Sequence, residues 1–273
     1  MTADWLDIRR GDAPLVVAFP HTGTELPGGL EPRFASPWLA RKDADWWIDR
    51  LYDFAHGLGA TTVRTTMSRS VIDVNRDPSG ASLYPGKATT ELCPTTTFDG
   101  EPLYPPGAAP DAGEIALRRD TWFAPYHRAI GDELERLRRA HDQVVLYDAH
   151  AIRSRIPRLF EGELPHLNIG TFGGASCAPA LAQAVAAAAS GPFSFVVDGR
   201  FKGGWTTRRY GAPATGVHAI QMELACRGYM DEPATPPSEA SWPSAYDPQR
   251  AAPLRAVLTD ILNAALAFAR AAR

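Results

Sequence analysis

Hydrophobic and polar positions along the chain switch between two regimes. Leu15-Val16-Val17-Ala18-Phe19 and Val144-Val145-Leu146-Tyr147 are unbroken apolar runs of strand length, the pattern of strands buried on both faces. Thr61 to Thr66, Leu167 to Thr171, Phe193 to Val197 and Val217 to Leu224 predict further strands, and Ser70 to Pro78 is another β-prone run. Between them the apolar spacing becomes helical. Trp47, Ile48, Leu51, Phe54 and Ala55 share one face of a helix that Ser36-Pro37 or Asp43 caps and Gly57 and Gly59 stop. Glu114 to His141 carries Trp122, Tyr126, Ile130, Leu134 and Leu137 at the same spacing, with Pro125 kinking the helix or opening a second one. Pro179 to Ala189 is rich in alanine, the best helix former. In the tail, Leu254, Leu258, Ile261, Leu262, Ala265 and Phe268 predict a last helix over Pro253 to Arg270. Strands alternating with helices over the whole length predict a doubly wound α/β sheet with helices on both faces. The length fits a single domain spanning residues 1–273. Ser79 to Gly113, rich in Pro, Gly and Thr, reads as a covering loop, and Ala234 to Pro248 as a Pro- and Ser-rich connection.

Polar side chains gather where these runs end. Val144 to Tyr147 leads into Asp148-Ala149-His150, and strand alternation puts Asp148 and His150 on the same side. In an α/β sheet the carboxyl ends of the strands are where ligands bind. Of this pair, one residue can ligate a metal while the other orients a neighbour. The first apolar run ends in His21, the β-prone run in Asn75-Arg76, and the last strand contains Glu223 in an apolar context. The helix through Trp47 holds Asp45 and Asp49 one turn apart. A catalytic zinc takes about three nitrogen or oxygen ligands and keeps an open position, which His21, His150 and one carboxylate would satisfy. Such a metal acidifies water and polarises a carbonyl, leaving a further carboxylate to act as base. Arg76 has the fork that grips a carboxylate in two places. Structural readings stand beside these: Asp73 and Arg76 can simply pair with each other, His127 and His141 read as packing or surface residues, and Arg153, Arg155 and Arg158 as solvated loop residues.

Composition narrows the partner. With 28 basic and 31 acidic residues and a net charge of -3, the chain lacks the basic footprint of a nucleic-acid or anionic-membrane binder, so a small-molecule substrate is expected. Met1 to Arg10 has no apolar core of signal-peptide length, and no run reaches the roughly 20 apolar residues that cross a bilayer. Cys93, Cys177 and Cys226 are too scattered for a thiolate site or a disulfide framework. A reducing cytoplasm is the expected location, and any metal must use histidine and carboxylate. The oligomeric state is left open.

Five ordered motifs together resemble one family. They are Pro20-His21-Thr22-Gly23-Thr24-Glu25-Leu26-Pro27, Ser68-Arg69-Ser70-Val71-Ile72-Asp73-Val74-Asn75-Arg76, Tyr147-Asp148-Ala149-His150, Gly199-Arg200-Phe201-Lys202-Gly203-Gly204 and His218-Ala219-Ile220-Gln221-Met222-Glu223-Leu224. The combination, running from about Leu15 to Glu232, resembles the N-formylglutamate amidohydrolases, also called N-formylglutamate deformylases. That resemblance implies a mixed, largely parallel α/β sheet of the zinc-exopeptidase kind and a Zn2+-dependent hydrolase, with another divalent metal as a variant. It implies His21 and His150 as zinc ligands and Asn75 with Arg76 as the grip on an α-carboxylate. Glu223 becomes the general base, and Asp148 orients a ligand from behind. The third ligand is expected to be Asp49, with Glu25 as the alternative. Arg208 or Lys202, in a locally cationic loop, would take a second carboxylate. The implied reaction yields glutamate and formate in histidine degradation. Alternatives are a zinc-dependent deacylase of another N-acyl amino acid or small peptide, and a metal-free protein that binds an anionic amino acid. Two positions depart from the resemblance, with Arg209 in place of an expected histidine and His166 in place of an expected aspartate.

Overall fold

The computed structural model describes residues 4–233 and 236–271. Residues 1–3 of the polar start, Ala234-Thr235 at the head of the Pro- and Ser-rich connection, and residues 272–273 lie outside the described residues. The strands are β1 (Leu6–Arg9), β2 (Leu15–Phe19), β3 (Thr61–Thr65), β4 (Val144–Ile152), β5 (Leu167–Gly170), β6 (Phe195–Val197) and β7 (Val217–Ala225). The α-helices are α1 (Leu39–Lys42), α2 (Ile48–Leu51), α3 (Ala112–Arg118), α4 (Ala124–Arg138), α5 (Pro179–Ala189), α6 (Trp205–Tyr210) and α7 (Pro248–Ala271).

All the strands join one sheet in the order β1-β3-β2-β4-β7-β5-β6. The four pairings β2 with β3, β2 with β4, β4 with β7 and β5 with β6 are parallel. The pairings β1 with β3 and β5 with β7 are antiparallel. The sheet is therefore mixed and largely parallel, as the family resemblance implies. β4 is buried along its whole length at the centre, which is why its apolar run does not alternate with polar residues.

Side-chain parity divides the core into two layers. Leu15, Val17 and Phe19 of β2, Val145, Tyr147 and Ala149 of β4, and Ile220, Met222 and Leu224 of β7 pack beneath α5 and α7. Val16, Ala18, Val144, Leu146 and Ala219 face the opposite way, onto Tyr126, Ile130, Leu134 and Leu137 of α4. Helices thus cover both faces. The same parity carries Asp148, His150, Gln221 and Glu223 onto the α4 side once the apolar residues run out. Helix α7 extends over 24 residues and, by length and composition alone, is apolar enough to cross a membrane, longer than the tail periodicity suggests. Leu254, Leu258, Ile261, Leu262 and Ala265 are nevertheless fully buried against the sheet. Leu258→Ala should therefore cost about 2–5 kcal/mol of folding stability, to be read as a lowered urea midpoint at unchanged slope.

Two local expectations are corrected, and the alternative of a second helix opened at Pro125 is borne out. The β-prone run Ser70 to Pro78 forms no strand. Val71, Ile72 and Val74 are buried as expected, but side chains and loops serve their backbone. Arg118 Nη1 donates to the Val71 carbonyl at 2.9 Å, the Val74 carbonyl lies 2.7 Å from His127 Nε2, and Asp73 N–H donates to Leu92 at 2.7 Å. The long helix from Glu114 is two, α3 and α4, joined by a π turn over Arg119–Phe123, and Pro125 sits in the first turn of α4, where its missing N–H costs nothing. The helix through Trp47 is broken. Trp47 adopts φ 64°, in the left-handed region, immediately before α2, a conformation uncommon for a bulky side chain.

Candidate active site

The polar cluster lies where the chain order of the sheet reverses. From β2 the sheet extends to β3 on one side and to β4 on the other, and ligands in open α/β sheets bind at such a switch point. His21 stands two residues beyond the end of β2, and His150 sits near the end of β4, in register with Glu223 of β7. Asp148 is likewise in register with Gln221. The His21 and His150 rings face each other with centroids 4.9 Å apart.

Asp45 completes this group. Its Oδ2 lies 3.1 Å from His150 Nδ1 and 3.7 Å from His21 Nδ1, and it also accepts the Ala151 N–H at 3.2 Å. One donor atom from each of His21, Asp45 and His150 lies within 4.8 Å of the others, and all three residues are buried. His21 Nδ1 is buried without a hydrogen-bond partner, an orphan that calls for one. Two imidazoles and one carboxylate, with an unmet nitrogen among them, fit a divalent metal with room for a further ligand.

A ring of supporting groups fixes these donors from behind. Asp73 Oδ1 lies 2.6 Å from His21 Nε2, and Asp148 Oδ1 lies 3.1 Å from His150 Nε2. Carboxylates on the far nitrogens of ligating histidines set their tautomer and raise their basicity. Asp73 is held in turn by Arg69 Nη2 at 2.7 Å and the Asn75 N–H at 2.9 Å. Arg69 Nη1 also reaches Asp45 Oδ1 at 3.5 Å. Asn75 Nδ2 donates to Asp148 Oδ2 at 3.2 Å and lies 2.9 Å from His150 Nε2, while its Oδ1 accepts the Thr206 N–H at 2.8 Å. Gly204 packs against that amide so closely that an added Cβ would lie 2.4 Å from Asn75 Nδ2. Only glycine allows this approach.

Burial and charge set the protonation states. Burial would raise the Asp45 carboxyl, yet hydrogen bonds from His150 and His21 hold it below its usual range. Asp73 is also buried, but the charges of Arg76, His21 and Arg69 keep it well below the usual carboxylate range. Burial would lower His150, and Asp148 and Asp45 outweigh it, lifting the imidazole well above its ordinary value. Glu223 is compensated less: burial pushes its carboxyl up to about 8, and the charges of His150 and Arg69 offset this only in part. Among the described residues its one hydrogen bond to a side chain comes from Gln221 Nε2 at 3.3 Å. A buried carboxyl poised near neutrality beside a possible metal site is suited to moving protons.

The structure brings most of the sequence-predicted residues together and moves others away. His21, His150, Asn75, Arg76 and Glu223 line one cleft, and Asp148 stands behind His150. Asp49 does not join them. With the chain turned at Trp47, Asp45 faces the histidines, whereas Asp49 faces outward, 3.2 Å from Arg64 Nε. Glu25 is exposed and accepts the Thr66 hydroxyl at 2.7 Å. Arg208 is spent on the Gly203 and Leu83 carbonyls, both at 2.9 Å, and lies over the Tyr84 and Phe172 rings. Lys202 is exposed and contributes only backbone contacts to Tyr84 and Phe172. Neither lines the cleft. The two departures do not line it either: Arg209 is exposed beside Tyr210, and His166 packs edge-on to Phe193. The segment after Arg76 does cover the site, for Tyr84, Ala88, Thr89, Thr90 and Phe98 form part of the cleft wall.

Asp45 and Asp73 are the members of the candidate site that sequence reasoning did not assign to it. Nothing in the pattern around Trp46-Trp47 announces the left-handed turn that aims Asp45. Asp73 did carry a signal, since an acid inside Val71-Ile72-Asp73-Val74 must be buried and needs partners beyond a neighbouring arginine.

The family model for N-formylglutamate amidohydrolase matches residues 13–230. An N-formylglutamate deformylase of Pseudomonas aeruginosa is 47% identical over 268 residues, covering 97% of each chain. Another, from Pseudomonas putida, is 44% identical over 266 residues, covering 96% of each. Among solved structures, an N-formylglutamate amidohydrolase from Ralstonia eutropha superposes with a TM-score of 0.76 at 20% identity, covering 97% of this chain and 96% of that one. A gene product of Agrobacterium tumefaciens gives a TM-score of 0.71 at 16% identity with the same coverage.

Proposed function

The chain belongs to the N-formylglutamate amidohydrolase family, and from that premise we propose that it hydrolyses N-formyl-L-glutamate to L-glutamate and formate. We further propose that residues 1–273 act as one catalytic domain and that zinc, or another divalent metal, is held by His21, Asp45 and His150. The observation that carries this reading is the placement of a buried Glu223 in register with His150, in the cleft lined by His21 and His150 of the His-Asp-His group. The orphaned His21 Nδ1 supports the metal.

When bound, such a metal supplies positive charge that acidifies water and polarises the formyl carbonyl. Glu223 accepts a proton from the attacking water and delivers it to the nitrogen of the departing glutamate. The C–N bond breaks as the C–O bond to water is completed, so formate leaves with the oxygen and glutamate with the proton. A carboxyl lifted to about 8 holds that proton readily between the two transfers. Arg69 offsets the negative charge of Asp45 and Asp73, keeping two carboxylates tolerable beside a carboxylate-bearing substrate. Asn75 and Arg76, on the cleft wall, take the α-carboxylate.

Arg76→Ala should raise KM for N-formyl-L-glutamate by roughly 10- to 100-fold, the size of one charge-assisted hydrogen-bonded contact, with little change in melting temperature. Steady-state kinetics beside a thermal melt checks this. The substrate itself is tested by rates across a panel of N-formyl and N-acetyl amino acids. A clear preference for N-formyl-L-glutamate is expected, and equal rates on neutral N-formyl amino acids would defeat the substrate assignment. We place the reaction in histidine degradation, as the family resemblance implies, and in the cytoplasm, with which three free, buried cysteines are compatible.

A further inference from the structure

Three guanidinium groups line the cleft beside Glu223, those of Arg69, Arg76 and Arg200. Arg69 is buried and saturated by Asp73 and Asp45. Arg76 has Asp73 3.6 Å away and donates to the carbonyl and hydroxyl of Thr90, both at 3.1 Å. Arg200 is different. It is half-buried, and among the described residues no carboxylate lies within ion-pair distance of it. Its protein hydrogen bonds go to backbone carbonyls only, from Nε to Leu159 at 3.0 Å and from Nη2 to Ala88 at 3.3 Å. The guanidinium is further fixed over the rings of Tyr84 and Phe201, at 5.5 and 5.2 Å.

A half-buried guanidinium held in place without an ion-pair partner is ready to grip an anion that enters the cleft. Burial biases the Arg200 guanidinium below its ordinary value, Tyr84 and Glu223 offset this in part, and Arg76 on the same cleft adds like-charge repulsion. The two carbonyl acceptors hold one edge of the fork in place, leaving Nη1 without a protein hydrogen bond among the described residues. Leu159, Phe201 and Ile152 supply apolar wall beside it, suited to a short methylene chain. Arg208 and Lys202 cannot substitute, because neither lines the cleft.

We propose that Arg200 is the specificity-determining residue of the site, gripping the side-chain carboxylate of an N-acyl amino dicarboxylate whose α-carboxylate is held by Arg76. This rests on the reading that the substrate is N-formyl-L-glutamate. The test compares kcat/KM for N-formyl-L-glutamate and N-formyl-L-glutamine in the wild type, Arg200→Met, Arg200→Lys and Arg208→Met. Arg200→Met should lower kcat/KM for the glutamate substrate by roughly 10- to 100-fold, the span of a charged hydrogen-bonded contact, while the glutamine substrate changes by less than about 3-fold. Arg200→Lys should restore part of the ratio, and Arg208→Met should leave it unchanged. Should Arg200→Met fold poorly, the lysine variant still decides, since a point charge without the fork must give an intermediate ratio. A wild-type enzyme that prefers glutamate, with that preference intact in both Arg200 variants, overturns the role of Arg200 alone. A wild-type enzyme with no preference overturns the substrate reading and this role with it.

Discussion

Glu223→Gln is expected to lose roughly 10²- to 10⁴-fold in kcat, the usual contribution of a general acid-base group, while retaining its metal. The amide is nearly isosteric, and among the described residues the only side chain hydrogen-bonded to the carboxyl is Gln221, so the fold has little reason to respond. Removing a buried carboxyl that burial lifts to about 8 should stabilise the protein increasingly as pH rises from the ordinary carboxylate range to that value. The sign follows from linkage. A carboxyl raised in the folded state favours folding when protonated, and that advantage is lost as pH rises through the folded pKa. Turnover, metal content and melting temperature on one preparation check the prediction. Near-normal turnover in Glu223→Gln would assign the proton transfers to another group.

Asp45→Ala is expected to release the metal and abolish activity, whereas Asp49→Asn should leave both intact. The two acids are four residues apart, and the left-handed backbone of Trp47 separates their fates. Asp45 Oδ2 is shared between the two histidine rings, while Asp49 meets Arg64 at the partly exposed side of α2. Losing a group that merely supports a metal ligand typically costs 10- to 100-fold in affinity, or about 1–3 kcal/mol, and removal of a direct ligand should exceed that. Because Asp45→Ala also leaves Arg69 with one partner fewer, Asp45→Asn serves as the gentler companion. Metal content by elemental analysis should fall in both Asp45 variants and remain stoichiometric in Asp49→Asn. The reverse pattern would restore the assignment that helical spacing alone suggests.

That contrast shows what was legible in the chain. The central strands could be read because burial on both faces leaves an apolar run, and period-two alternation then carried Asp148, His150 and Glu223 to the correct side. His21, His150 and Glu223 follow from strand ends, which the sheet positions rigidly. Residues on turns were less accessible. Asp45 depends on one φ angle at Trp47, and Asp73 on a loop whose backbone is satisfied by Arg118, a neighbouring loop and His127 rather than by a strand. Arg208 and Lys202 sit in the cationic loop that composition singles out, yet charge density does not say which member turns inward. That required the packing of Tyr84, with Arg200 on the cleft side and Arg208 tied to the Gly203 and Leu83 carbonyls.

The central claim is that His21, Asp45 and His150 form one metal site facing Glu223. Diffraction from metal-loaded crystals, with data collected on both sides of the metal absorption edge, tests it most directly. A single anomalous peak bounded by His21 Nδ1, Asp45 Oδ2 and His150 Nδ1, with Glu223 outside the ligand shell, is the expected result. A peak ligated by Asp49 or Glu25, or no peak among these three residues, would contradict it.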